Sequence, residues 1–298
     1  MGAKRLSQLS AHFDGDLSAI LAADVPTLCQ VPGIGAHTAA AIRTIHMERA
    51  EAQIARWTRA GVRIVTRHDA DYPAPLTRLT DAPPTLFIRQ TLPNPFTETP
   101  DPRETDLEAC LSRICIGVVG TRQPSDAGAF AARAVGDAVG RGGGTVVSGF
   151  ALGVDWLAHG GAIINGGRSI AVLGSGVLNI YPPEHRASVI RFIARGGVFM
   201  SEVAPDARPS SAALIARNRI ISGLSRAVIL VESNADGGAL HTVRFARAQG
   251  VPVYALDLDA TGNRALIAEG TRIVTLDTMN GLAWLESLDP VSYTPQII

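Results

Sequence analysis

The sequence predicts an α/β fold: a doubly wound, Rossmann-like, mostly parallel sheet preceded by a small all-α domain of helix-hairpin-helix type. Three observations carry this reading. From Ile114 onward, short runs that are apolar on both faces alternate with segments of helical period, the pattern of a parallel sheet covered on both sides. Glycines follow several of these runs, where a doubly wound sheet turns from strand to helix. Residues 1–53 instead carry helical apolar spacing around a Pro-Gly turn.

In the N-terminal domain, residues 1–53, Leu17, Ile20 and Leu21 form one apolar face and Ala39 to Ile45 another. Between them Pro32 stops a helix, and Gly33 and Gly35 permit a tight turn into the next. The free amides at the start of that helix suit a phosphate contact at Gly33 and Gly35. A purely structural helical hairpin fits the same residues. Residues 54–113 read as a connecting segment packed on the Rossmann domain. Gly61–Thr66 forms a short strand there. Residues 91–108, with four prolines and five acidic residues, form an exposed linker.

The Rossmann-like domain spans 114–298. Its strands are Ile116–Val119, Thr145–Ser148, Ser169–Leu173, Gly197–Met200, Ala227–Val231 and Val253–Ala255, with a final strand at Arg272–Leu276. Helical segments lie near Asp126–Arg141, Asp155–Asn165, Pro183–Ala194, Leu214–Leu224, Gly238–Gln249 and Asp277–Leu288. Right-handed crossovers then place ligands beyond the carboxyl ends of the strands.

Composition narrows the function classes. Twenty-seven Lys and Arg balance 27 Asp and Glu, so the surface as a whole is not a magnet for nucleic acid or membrane. The charge is unevenly placed: residues 114–257 hold 13 basic and 9 acidic residues, and residues 258–298 hold 2 and 5. All the cations but Lys4 are arginines, whose planar forks suit phosphate and carboxylate. At 46% hydrophobic and 18% charged the chain is too apolar to be disordered. Three cysteines without a C-x-x-C pair fit a reducing, cytoplasmic setting. No run is long enough for a membrane span, and the first residues are not signal-like.

The strand ends carry the candidate site. After the first parallel strand, Gly120 and Thr121 lead to Arg122 at a helix mouth, a position that suits an anion. The next end brings Ser148, Gly149 and Asp155. Asp155 suits either a base or ribose contact or the cap of its helix, and His159 suits a structural role. Gly174 opens a glycine loop suited to close phosphate approach. Arg217, Asn218 and Arg219 put two guanidiniums and an amide inside an apolar stretch, where unpaired cations are costly. Gly237 and Gly238 offer a further nest of amides. No metal-ligand spacing, dinucleotide fingerprint or catalytic triad is present. These groups favour binding a phosphate-bearing ligand over transforming one, with no metal and no cofactor.

Several segments together resemble the DNA-processing protein A (DprA/Smf) family. They are Gly120-Thr121-Arg122, Ser148-Gly149-Phe150-Ala151-Leu152-Gly153-Val154-Asp155 with Ala158-His159, Tyr181-Pro182 and Arg217-Asn218-Arg219-Ile220-Ile221-Ser222-Gly223. Tyr72-Pro73 and Gly262-Asn263-Arg264 match as well. The resemblance implies a usually dimeric, non-enzymatic, cytoplasmic protein that binds single-stranded DNA and helps to load RecA recombinase in natural transformation. It implies a DNA pocket lined by Arg122, Arg217 and Arg219. This chain departs from the family pattern at Leu152, where a cation is usual, at Leu214-Ile215, at Asp236-Gly237-Gly238 and at Asp257-Leu258. A lost cation at 152 and an added anion at 236 weaken phosphate attraction. The alternative is a diverged sensor of a nucleotide-type small ligand. A phosphoribohydrolase is disfavoured because the segment from Gly237 to Arg244 lacks the glutamate of that group's motif.

Overall fold

Burial on both faces explains why the central strands form where they do. The computed structural model describes residues 3–91, 106–279 and 281–288. Its sheet comprises β1 (Val62–Thr66), β2 (Thr85–Arg89), β3 (Cys115–Val119), β4 (Thr145–Ser148), β5 (Arg168–Leu173), β6 (Gly197–Ser201), β7 (Ala227–Leu230), β8 (Val253–Ala255) and β9 (Arg272–Ile273). Every residue of β3, β4, β6 and β7 is buried, as the two-faced apolar runs require.

The spatial order is β1-β2-β6-β5-β4-β3-β7-β8-β9. Strands β3 to β9 pair in parallel, while β1 with β2 and β2 with β6 are antiparallel. The chain moves outward from β3 in one direction through β4, β5 and β6, then returns to β3's other side with β7. That reversal opens a crevice beyond the carboxyl ends of β3 and β7. One face of the sheet packs Ile116, Val118, Val146 and Ile229 against Ala132 and Val135 of helix Asp126–Arg141 and Ala158 of helix Val154–Ile164. The other packs Val119, Val147, Val172 and Leu230 against Ile221 and Leu224 of helix Asn218–Leu224 and Val243 of helix Ala239–Ala248.

The first four helices, Ala3–His12, Leu17–Ala22, Val25–Cys29 and Ala36–Arg43, share a core of their own around Leu9, Ile20, Leu28, Val31, Ile34 and Ile42. Leu17 and Ile45 stay exposed, so the apolar faces are narrower than their spacing suggests. Helix Met47–Arg59 runs across the expected boundary at 53. Its Trp57 ring stands 5.5 Å from that of Phe87 in β2, and Arg56 and Trp57 both bond Asp206. These contacts tie the helix to the sheet.

Several elements differ from the sequence reading. The connecting segment supplies two strands of the sheet itself. Within the expected linker 91–108, residues 92–105 lie outside the described residues. Its last residues open helix Asp106–Leu111, because Leu107 and Cys110, three apart, are drawn into the core. The expected helix over 214–224 is two helices, Ser211–Ala216 and Asn218–Leu224, that meet at Arg217. Among the described residues no helix is long and apolar enough to cross a membrane.

Candidate functional site

Beyond β3 the chain is wedged between two neighbours. A Cβ on Gly120 would lie 2.6 Å from Val154 Cγ2 and 2.8 Å from the Glu232 carbonyl, so the close passage requires glycine. The Thr121 amide donates to the Glu232 carbonyl at 2.7 Å, and Val154 donates to the Thr121 carbonyl at 3.1 Å. This fixes the backbone and leaves Arg122 on the rim. Arg122 is exposed and has no hydrogen bond or ion pair among the described residues.

Beyond β4, Ser148 Oγ donates to the Val118 carbonyl at 2.6 Å and belongs to the interior. Asp155, in the first turn of helix 154–164, accepts from the amides of Gly149 at 3.1 Å and Ala151 at 3.4 Å. It therefore draws the loop back onto the helix; the N-cap is Gly153. Arg217 Nη2 lies 3.9 Å from the same carboxylate, Nη1 donates to the Val172 carbonyl at 2.5 Å and Nε to that of Leu214 at 3.3 Å. Its guanidinium lies flat against Gly149, where a Cβ would come within 1.7 Å of Nη1. Burial pushes the Asp155 carboxyl up, opposed by Arg217 and the loop amides. Burial also pushes Arg217 down, opposed by Asp155. The charge of Arg217 is thus internally compensated.

Phe150 has a left-handed φ of 59°. Its buried ring packs on Trp156, His159, His185, Phe192 and Phe199, with centroids 4.9–5.6 Å away. His185 Nδ1 donates to the Phe150 carbonyl at 3.1 Å. His159 Nδ1 lies 2.6 Å from Ser169 Oγ, and burial pushes that imidazole down to about 3. Its role is structural, as expected of a histidine with no partnered nucleophile in the sequence.

On the far wall, the Glu232 carboxylate accepts from Ser125 N at 3.0 Å and Ser125 Oγ at 3.1 Å, at the N-terminus of helix 126–141. The following loop is pinned by Asn263. Its Oδ1 accepts from Ser233 N at 2.9 Å, and its Nδ2 donates to the carbonyls of Val231 and Leu256, each at 2.8 Å. Gly262 N donates to the Ser233 carbonyl at 2.9 Å, and Ala235 N to Thr261 Oγ1 at 2.9 Å.

These walls enclose an inner cavity of about 340 Å³. Gly120, Thr121, Arg122, Asp155, Arg217, Asn218, Gly237 and Gly238 line it, together with Asp236 and His241. An outer cavity of about 310 Å³ adjoins it through Arg122, Ala151, Leu214 and Arg217, and adds Gly149, Leu152, Tyr181 and Glu184. Arg122 therefore stands at the junction.

Other expected site residues lie elsewhere. Arg219 lines neither cavity. Its Nε donates to Asp81 Oδ2 at 2.9 Å and its Nη2 to Glu202 Oε2 at 2.6 Å, so its charge is spent on an internal network. Gly174 is packed against Leu214, with 2.6 Å between a built Cβ and the Leu214 Cα, and offers no open phosphate loop. Gly33 and Gly35 sit in the helical hairpin as expected, Gly33 with a φ of 78°, and line neither cavity. Asp155 is a loop clamp rather than a helix cap. Glu232, Asn263, His241 and Tyr181 were not singled out as site residues from sequence. For Asn263 and Tyr181 a signal existed, because each sits in a matching motif. Among the described residues no cluster of His, Cys, Asp or Glu could hold a metal ion.

Residues 106–281 match the family described as DNA recombination-mediator protein A. Protein Smf of Synechocystis is 36% identical over 215 residues, covering 70% of this chain and 51% of that protein; the chain thus spans about half that relative's length. The X-ray structure of DNA processing protein A from Streptococcus pneumoniae superposes with a TM-score of 0.74 at 25% identity, covering 96% of this chain and 93% of that one. A Helicobacter pylori DNA processing protein A, whose structure is described for its single-stranded DNA binding mode, shares the fold. Its TM-score is 0.61 at 23% identity, covering 76% of this chain and 95% of that one.

Proposed function

The chain belongs to the DNA recombination-mediator protein A family, and from that membership we propose that it binds single-stranded DNA in the crevice beyond β3 and β7. The observation that carries the reading is Arg122: an exposed guanidinium without a carboxylate partner among the described residues, at the junction of the two cavities. A backbone phosphate pairs with Arg122 near the start of helix 239–248, where the helix dipole favours an anion. The nucleotide beside it enters the inner cavity against Asn218. Arg217 does not compete for phosphate; it holds the loops in shape.

The single-stranded DNA that the Helicobacter protein is described as binding is the ligand chemistry this site would take. The reading extends to a homodimer acting in the cytoplasm beside RecA recombinase, as a binding protein rather than an enzyme. The alternative, a nucleotide sensor, meets an obstacle at helix 126–141. The N-terminus that serves a diphosphate in many doubly wound folds is filled here by the Glu232 carboxylate.

The test is an oligo(dT) titration by fluorescence anisotropy at about 50 and about 200 mM salt, beside thermal melts with mononucleotides. Salt-sensitive oligonucleotide binding supports the proposal. Stabilisation by a mononucleotide without oligonucleotide binding overturns it in favour of the sensor.

A further inference from the structure

Two formal charges face the inner cavity without a hydrogen-bond or ion-pair partner among the described residues. One is Arg122. The other is Asp236, an exposed carboxylate with no hydrogen bond or ion pair among the described residues. A carboxylate repels the phosphates that Arg122 attracts, so its place in this cavity calls for a ligand that also brings donors. The loop bearing it is not free to swing away. It is anchored on both sides of the turn by the Asn263 amide, Gly262 N, Thr261 Oγ1 and the Gly237–Asn234 hydrogen bond of 2.9 Å.

Resting on the single-stranded DNA reading above, we infer that Asp236 reads a guanine base. The Watson–Crick edges of unpaired bases are what proteins read in single strands, and a carboxylate is an acceptor on both oxygens. Guanine alone among the four bases presents two adjacent donors, N1–H and the exocyclic N2–H₂, in line for a bidentate pair. Cytosine and adenine set an acceptor ring nitrogen beside their amino group, and thymine flanks N3–H with two carbonyls. Each of these opposes one carboxylate oxygen. The cavity volume of about 340 Å³ lies at the lower end of ligand sites, roughly 300 Å³ upward, which suits one nucleotide. Arg122 then takes the phosphate and Asp236 the base.

The experiment compares an alternating guanine–thymine oligonucleotide with its inosine–thymine counterpart, which lacks the exocyclic amine, on wild type and Asp236→Asn. Wild type is expected to bind the guanine strand about tenfold more tightly. In Asp236→Asn that ratio falls to about one, since an amide offers one donor and one acceptor where guanine needs two acceptors. A melting curve confirms that the variant is folded. Salt-sensitive binding of both strands at equal affinity by wild type overturns the guanine reading and leaves single-stranded DNA binding standing. So does an unchanged ratio in the variant. Absence of salt-sensitive binding to either strand overturns both.

Discussion

Replacing Arg122 by alanine separates ligand binding from folding more cleanly than any other change at this site. The side chain makes no hydrogen bond or ion pair among the described residues, so its loss changes stability by no more than about 0.5 kcal/mol. A hydrogen bond to a charged group contributes roughly 1.5–3 kcal/mol, and the exposure of Arg122 argues for the lower figure. About 1.5 kcal/mol is a loss of about 12-fold at about 50 mM salt. One phosphate contact contributes about −0.7 to the salt slope on single strands, or about 2.6-fold across a fourfold salt change. The gap between wild type and variant therefore narrows to about fivefold at about 200 mM. The assay is anisotropy with a labelled oligonucleotide at both salts, with a denaturant melt alongside. Wild-type affinity and slope in Arg122→Ala would refute the assignment, as would a lowered melt, which would mean that the guanidinium is structural.

Arg217→Ala should behave in the opposite way, losing about 3–5 kcal/mol in a urea melt because it leaves the buried Asp155 carboxylate without its cation. Gly149→Ala forces that same guanidinium off its seat and should cost about 1–3 kcal/mol, read as a lower urea midpoint with an unchanged m-value. Asn263→Ala unpairs the buried Ser233 amide and the Val231 carbonyl and removes one of the two donors to the Leu256 carbonyl, which keeps the Leu258 amide at 2.9 Å. An expected loss of about 3 kcal/mol or more should be accompanied by weaker oligonucleotide binding as the loop bearing Asp236 loosens. His159, ordinarily titrating at 6.5 and held near about 3 in the fold, stays neutral inside while the unfolded chain takes up its proton. Its stabilisation is full above pH 6.5 and falls as pH drops, by about 1.4 kcal/mol per pH unit. His159→Gln should flatten the stability profile between those limits by that slope, and an identical profile would contradict the burial argument.

The parallel sheet was legible because runs such as Cys115–Val119 and Ala227–Leu230 are apolar on both faces, and burial on both faces is what they meet. Arg122 was legible for a related reason: a cation just past a buried strand has nowhere to go but the rim. Arg217 and Arg219 could not be told apart along the chain. They differ in their partners, since Asp81 lies 138 residues from Arg219 and Val172 lies 45 from Arg217. Glu232 was invisible as a cap for the same reason, being 107 residues from Ser125. Gly174 misled because a glycine that admits a phosphate and one that admits a neighbouring helix look alike in one dimension. In the helix Thr261–Ala268 the residues Gly262, Asn263 and Leu266 are buried, and Asn263 presents its amide to three backbone groups far along the chain or across the loop, a role its short polar side chain does not announce in sequence.

Glu232 also has a mechanical effect on the crevice. Its carbonyl holds Thr121 and its carboxylate holds Ser125, so one residue after β7 grips the turn after β3 at two points. The two lips of the crevice are thereby coupled, and neither can part from the other without breaking both grips. On the single-stranded DNA reading proposed above, the strand would meet a slot held at this width, and the ordering cost of capture would fall on the flexible nucleic acid rather than on the protein. Arrival rates should then follow encounter and charge, with no slow opening step ahead of them.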